Sequence, residues 1–275
     1  MKYFANVLQA IKDTKHLMKV SSDLIKSEDW QGQDVNTLMV ELLHHRVCFD
    51  MTGSIGQLND TGKVGLRPNF PWVDNHFEER IRQKGVNPGL TYKEWPWYNK
   101  SKESLDELGM FNHNYMERYW PNHAKNKPTE VFDEHRVVVK KAGLRGDYGD
   151  LDDVISLLVK NPTTRQAYLP VWFPEDTGDA NPGRKPCTLG YRFIIRNNML
   201  DITYDIRSCD FFRHFVDDIY LTIKLAQYVL HEFNNAHPKS PLLEPGKFIM
   251  NITSLHMFLA DYQLMFMQRH PQEKV

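Results

Sequence analysis

Two apolar runs, residues 188–195 and 199–206, meet at Asn197-Asn198, and this pattern limits the possible folds more than any other in the chain. Asparagine tolerates the left-handed backbone of a two-residue turn, so the runs predict an antiparallel hairpin. In the second arm Leu200, Ile202, Tyr204 and Ile206 alternate with Asp201, Thr203 and Asp205, the period of a strand with one buried face. Directly after it, Ile219, Ile223, Ala226, Leu230 and Phe233 form a helical stripe.

The rest of the chain fits around this hairpin. Phe4, Val7, Leu8 and Ile11 predict an amphipathic helix over 3–19. Residues 37–43 and 46–51 read as two short strands, 52–90 as long loops around a short helix, and 91–107 as helical. Residues 121–149 are polar and read as a surface insertion. Asp150 should cap a helix running to Lys160, with acids in its first turn. Strands are expected at 167–172 and 247–252, and a closing helix at 256–269. Helices and strands that do not alternate regularly indicate a single α+β domain over 1–275. A hydrophobic fraction of 41% suffices for its core.

Lys+Arg 34 against Asp+Glu 35 gives a net charge of -1, which excludes a global basic field for duplex nucleic acid. Cys48, Cys187 and Cys209 form no CxxC pair, so neither a disulfide framework nor a zinc site is expected. The start of the sequence carries no signal-type apolar region, and no long apolar run could cross a bilayer, so a cytoplasmic location is expected.

The chemistry concentrates in residues 184–218. Cys187 follows Arg184-Lys-Pro and precedes the hairpin; Arg207-Ser208-Cys209-Asp210 ends it; Asp218 opens the next helix. A thiol there is a candidate nucleophile, activated by the nearby Arg207. Arg207 and Ser208 suit a phosphate, through a guanidinium fork and one hydroxyl donor. Chemistry on a phosphorylated substrate follows.

These motifs resemble the thymidylate synthase superfamily and, within it, the deoxycytidylate hydroxymethylases of bacteriophages. The resemblance runs discontinuously from about Thr37 onward. It rests on Pro186-Cys187, Arg207-Ser208-Cys209-Asp210, Thr164-Arg165, Ser254-Leu255-His256, the Glu94-Trp-Pro-Trp97 segment and Asn114-Tyr115. It implies a thymidylate synthase-type domain on a large mixed sheet, paired as a homodimer. It also implies 5,10-methylenetetrahydrofolate as cofactor and dCMP as substrate.

In that scheme Cys187 adds to carbon 6 of the pyrimidine and turns carbon 5 into a nucleophile. Glu94 is the general acid/base. Arg207, Ser208 and a partner-subunit Arg165 hold the phosphate, and His256 holds the sugar. Trp97, Tyr115 and Asp210 receive the folate. Asp218 stands where uracil-specific relatives have Asn. A carboxylate can accept from the N4 amino group of cytosine and share a proton with N3. Cys209 is expected only to pack. Water addition would give 5-hydroxymethyl-dCMP. The alternatives are methyl transfer to dCMP or dUMP, and a nucleotide-binding homologue with weak catalysis. Phe258 for the family's Tyr, Gln166 for Arg, and Arg213-His214 at a turn where relatives carry Gly motivate the last of these.

Overall fold

The computed structural model describes residues 2–30, 33–59, 64–98, 105–123, 131–132, 138–139, 148–179 and 183–267. Helix α1 (Val7–Val20) begins at Asn6, whose side chain accepts the Gln9 N–H at 3.0 Å. It buries Val7, Ala10, Ile11 and Met18. Strands β1 (Asp23–Trp30) and β2 (Gln33–Asp50) follow as an antiparallel pair. The two short strands expected at 37–43 and 46–51 are one long strand. The pairing runs through their apparent gap in one register, Leu43 with Ser254 and His45 with Ile252, although His44 takes φ 52.

Residues 52–90 hold two helices rather than one, α2 (Ser54–Asn59) and α3 (Trp72–Arg80). The helix expected over 91–107 is interrupted among its described residues. A 3-10 turn at Thr91–Glu94 stops because Trp95 is extended, with ψ 133. Pro96 explains this, since a following proline disfavours helical backbone and the ring itself lacks an N–H. Helix α4 (Tyr115–Tyr119) is capped by Asn114, whose side chain accepts the Glu117 N–H at 2.9 Å.

Strands β3 (Val131–Phe132) and β4 (Val138–Val139) pair with each other. Most of the 121–149 insertion otherwise lies outside the described residues. Helix α5 (Leu151–Lys160) begins as expected, and the Asp153 carboxylate accepts the Asp150 N–H at 2.7 Å. Strand β5 (Tyr168–Pro170) is shorter than the run that announced it. Then come β6 (Thr188–Arg196) and β7 (Met199–Asp210), joined by Asn197 and Asn198 at φ 51 and 58.

Helix α6 (Phe215–Ala236) crosses over to β8 (Glu244–Phe258), and α7 (Leu259–Phe266) follows. His256 therefore sits on a strand, not in the closing helix. Its neighbours Leu255 and Met257 are wholly buried on one face of that strand, and His256 points from the other. Among the described residues six strands form one sheet in the order β1-β2-β8-β7-β6-β5. Only β7 and β8 are parallel, as the α6 crossover requires. That pair aligns Ser208 with Ser254 and Asp210 with His256 near the C-terminal ends of the two central strands, close to where α6 starts. The site is built at these strand ends.

Candidate active site

Cys187 is the last residue before β6, half-buried and with a free thiol. It faces a cavity of about 750 Å³. The chain around it is held from β7. Arg207 donates its backbone N–H to the Cys187 carbonyl at 2.9 Å, Nε to the Pro186 carbonyl at 2.8 Å and Nη2 to the Lys185 carbonyl at 3.1 Å. One face of the guanidinium fork is thus committed to orienting the thiol segment, and the rest faces the cavity beside Ser208. Arg184 also lines the cavity, and its Nε is buried without a partner.

Asp218 does not cap α6. His214 is the first residue of that helix's N-terminal boundary, and the Asp218 N–H already bonds to the His214 carbonyl at 2.8 Å. The Asp218 carboxyl instead turns into the cavity. Burial pushes it up to about 6, while the charge of Arg80 and hydrogen bonds from Cys209 and Tyr204 pull it down. The Cys209 thiol lies 3.5 Å from Asp218 Oδ2. Cys209 therefore corrects the expectation of mere packing: it is a buried donor to the carboxylate. A chain of hydroxyls leads away from the same group, since Tyr204 meets Thr188 at 2.8 Å and Thr188 meets Tyr115 at 2.7 Å.

The opposite wall comes from the first half. Trp72, His76 and Arg80 repeat every four residues on α3 and face the cavity. The Arg80 guanidinium lies 3.8 Å from the centre of the Tyr115 ring, and its Nη2 is 2.9 Å from His76 Nε2. His76 stacks on Trp72 at 4.9 Å, and His214 stacks on Trp95 at 5.3 Å. Burial holds both imidazoles below their ordinary range, His214 down to about 3.

Near the end of β7, Arg213 lies between the rings of Trp97 at 4.5 Å and Phe258 at 4.3 Å. It pairs with Asp261 at 2.9 Å and stands 3.6 Å from Asp210. Burial raises the Asp210 carboxyl to about 7, against the N–H groups of Arg213 and Phe212, both 3.0 Å from Oδ1. Burial likewise holds His256 down at about 4. Buried, neutral imidazoles and a half-titrated carboxyl suit hydrogen bonding to a polar, uncharged ligand surface.

The cavity brings together Cys187, Arg207, Ser208, Asp210, Asp218, His256, Tyr115 and Trp97. Two expected residues stand apart. Glu94 is exposed and accepts a hydrogen bond from Asn75 Nδ2 at 2.7 Å, outside the cavity lining. Arg165 is exposed before β5 and also absent from the lining. Sequence reasoning missed His76, Arg80 and the contact of Cys209 with Asp218. The i, i+4 spacing of His76 and Arg80 was the available signal, hidden within a stretch read as mostly loop.

A family model described as thymidylate synthase matches residues 77–274. A candidate thymidylate synthase of Methanococcoides burtonii is 26% identical over 158 residues, covering 58% of this chain and 68% of that relative. Another, of Methanosarcina barkeri, is 25% identical over 154 residues, covering 56% and 66%. The solved structure of thermostable thymidylate synthase A from Bacillus subtilis superimposes with a TM-score of 0.62 at 12% identity. It covers 98% of this chain and 86% of its own, a likeness of fold alone.

Proposed function

The chain belongs to the thymidylate synthase family, and on that premise we propose that it transfers a one-carbon unit to carbon 5 of dCMP, giving 5-hydroxymethyl-dCMP. One observation carries the choice of cytosine: a buried carboxylate, Asp218, faces the same cavity as the free thiol of Cys187. A carboxylate only accepts hydrogen bonds, and cytosine offers an N4 amino donor where uracil offers a carbonyl.

In this reading the Cys187 sulfur adds to carbon 6, and the resulting enamine makes carbon 5 nucleophilic. Arg207 aims the thiol through the carbonyls of Lys185 and Pro186, and its free N–H groups join Ser208 on the phosphate. His256, neutral at working pH, bonds a sugar hydroxyl. Asp218 accepts from N4. Arg165 reaches the phosphate of a second copy. That copy packs on the outer sheet face, where Arg192 and Asn251 both bond Asp205 at 2.7 Å.

The residues present fit a folate. The indole N–H groups of Trp72, Trp95 and Trp97 are buried at or near the cavity without partners, and Asp210 adds a carboxyl. Trp97, Tyr115 and Asp210 would hold it. When bound, 5,10-methylenetetrahydrofolate supplies the one-carbon unit. Whether carbon 5 ends as hydroxymethyl or methyl depends on water reaching it.

A second reading, nucleotide binding with slow turnover, draws on Glu94 lying outside the cavity. One experiment decides. The protein is incubated with C5-tritiated dCMP or dUMP and methylenetetrahydrofolate, and tritium release and product mass are followed. Tritium release from dCMP with a hydroxymethyl product is expected. Reaction of dUMP alone would overturn the cytosine assignment, and binding without release would favour the second reading.

A further inference from the structure

Cytosine shows two groups at the edge next to N4: the amino donor and the bare N3 acceptor. Asp218 answers the first. At neutral pH it is mostly ionised and has little proton to share, so N3 needs a donor of its own.

The groups around Asp218 can be counted. The Cys209 thiol already donates to Asp218 itself. The hydroxyls of Tyr115, Thr188 and Tyr204 are engaged with one another in a chain that ends at the same carboxylate. The His76 ring is fixed by chemistry. A guanidinium has only donors, so Nε2 facing Arg80 is a bare acceptor and the ring proton sits on Nδ1. Nδ1 faces the Thr91 hydroxyl at 3.3 Å, and Thr91 passes its own proton toward Glu79 at 2.5 Å. His76 has no N–H left.

Arg80 does. It is 4% exposed, yet among the described residues no carboxylate lies within ion-pair distance of it. Of its five N–H donors one meets His76, another meets Tyr119, and Nε has no partner. Its charge is felt at a distance by Asp217 and Asp218, but its remaining N–H groups are free for a ligand that offers an acceptor. The residue lines the cavity, and the relay Glu79–Thr91–His76 holds its head against the Tyr115 ring.

We propose that Arg80 is the second base-reading residue: as Asp218 accepts from the N4 amino group, an Arg80 N–H donates to ring N3 of the cytosine. The pair reads donor and acceptor together, which neither residue does alone. A cation hydrogen-bonded to N3 also draws electron density from carbon 6, where the Cys187 sulfur must add. No bond to hydrogen breaks in this contact. The assignment rests on the dCMP reading and names the partner of N3 within it.

Calorimetry with dCMP and with 3-deaza-dCMP, in which C–H replaces N3, tests it on the native chain, Arg80→Met and Arg80→Lys. The native chain should bind dCMP roughly tenfold or more tighter than the deaza analogue, the usual worth of a hydrogen bond to a charged group. Arg80→Met should bind both equally and weakly, and Arg80→Lys should keep part of the preference. A merely structural role would weaken both ligands alike and leave their ratio as in the native chain; that result overturns the assignment. Should Arg80→Met not fold, as judged by its thermal unfolding, Asp218→Ala replaces it. The preference for N3 persists there if Arg80 makes the contact and disappears if Asp218 alone does. Native binding of dCMP with no preference sinks this inference only. Native binding of dUMP with none of dCMP sinks the cytosine reading, and this inference with it.

Discussion

One wall of the cavity comes from residues 184–218 and 254–256, the other from residues 72–115, and the two are held in place by different means. The first wall hangs on strands. Cys187, Arg207, Ser208, Asp210 and His256 are fixed by ladder pairing, with Arg207 tied to Cys187 across the β6–β7 hairpin and Asp210 in register with His256. The second wall is built from short helices and turns whose polar side chains hold one another. Glu79, Thr91, His76 and Arg80 form one such run, and Asn114 bonds the Val86 carbonyl at 2.7 Å. Reactive atoms that must not move sit on backbone hydrogen bonds. In the proposed reading, the groups that meet the base and cofactor from the other side sit on side-chain networks, which can adjust or be exchanged more easily.

The sharpest way to break this contrast is on the strand wall. Cys187→Ala should abolish turnover, a loss on the order of 10⁴-fold or more, while dCMP binding by calorimetry stays within a few-fold. Turnover that survived would remove the covalent step from the proposal. Asp218→Asn should come next. Its amide can donate to a uracil carbonyl and accept from N3–H, so kcat/KM for dCMP should fall roughly 100-fold while dUMP improves. Equal losses for both nucleotides would show that Asp218 serves stability and not base choice.

The same contrast explains what was legible from sequence. Period-two alternation over 199–206, an Asn-Asn turn and Asp150 before an apolar stripe each encode structure locally, and all three are present in the fold. The long strand β2 reads as two because the polar pair His44-His45 interrupts its apolar run, whereas the ladder continues past it in one register. The second wall resisted reading for a different reason. Trp95 and Tyr98 sit at a spacing a helix would use, but Pro96 makes the backbone at Trp95 extended, and aromatic side chains pack equally well from either. Nor does spacing reveal that a thiol at Cys209 and a carboxyl at Asp218, nine residues apart across a strand end and a helix start, meet at 3.5 Å.

A smaller effect follows from the charge of Asp218. Burial raises its carboxyl from the ordinary 3.8 to about 6, and the ionised form is the one that accepts from N4. Affinity for dCMP should therefore be full above about pH 6 and fall as the pH drops through it, by roughly tenfold between pH 7.5 and 5. The nucleotide's own titration also weakens binding in this range, so Asp218→Asn is the control. Its profile should lack this limb. If both proteins share one profile, Asp218 is not the group that titrates.

The smallest change is expected at Glu94, and it tests the second wall directly. Its carboxylate is exposed, takes the Asn75 amide at 2.7 Å and lies outside the cavity, whereas Trp95 and Trp97 just beyond it line the cavity. An exposed carboxylate whose only described partner is a neutral amide loses little when it becomes an amide itself. Glu94→Gln should leave kcat/KM within about threefold, and removing the Asn75 contact with Asn75→Ala should change thermal unfolding by no more than about 1 kcal/mol. A hundredfold fall in kcat with unchanged nucleotide affinity would mean that the turn at 91–98 swings inward when ligands bind. The flexible wall would then carry part of the chemistry, and the division between a fixed reacting side and an adjustable recognition side would fail at that one residue.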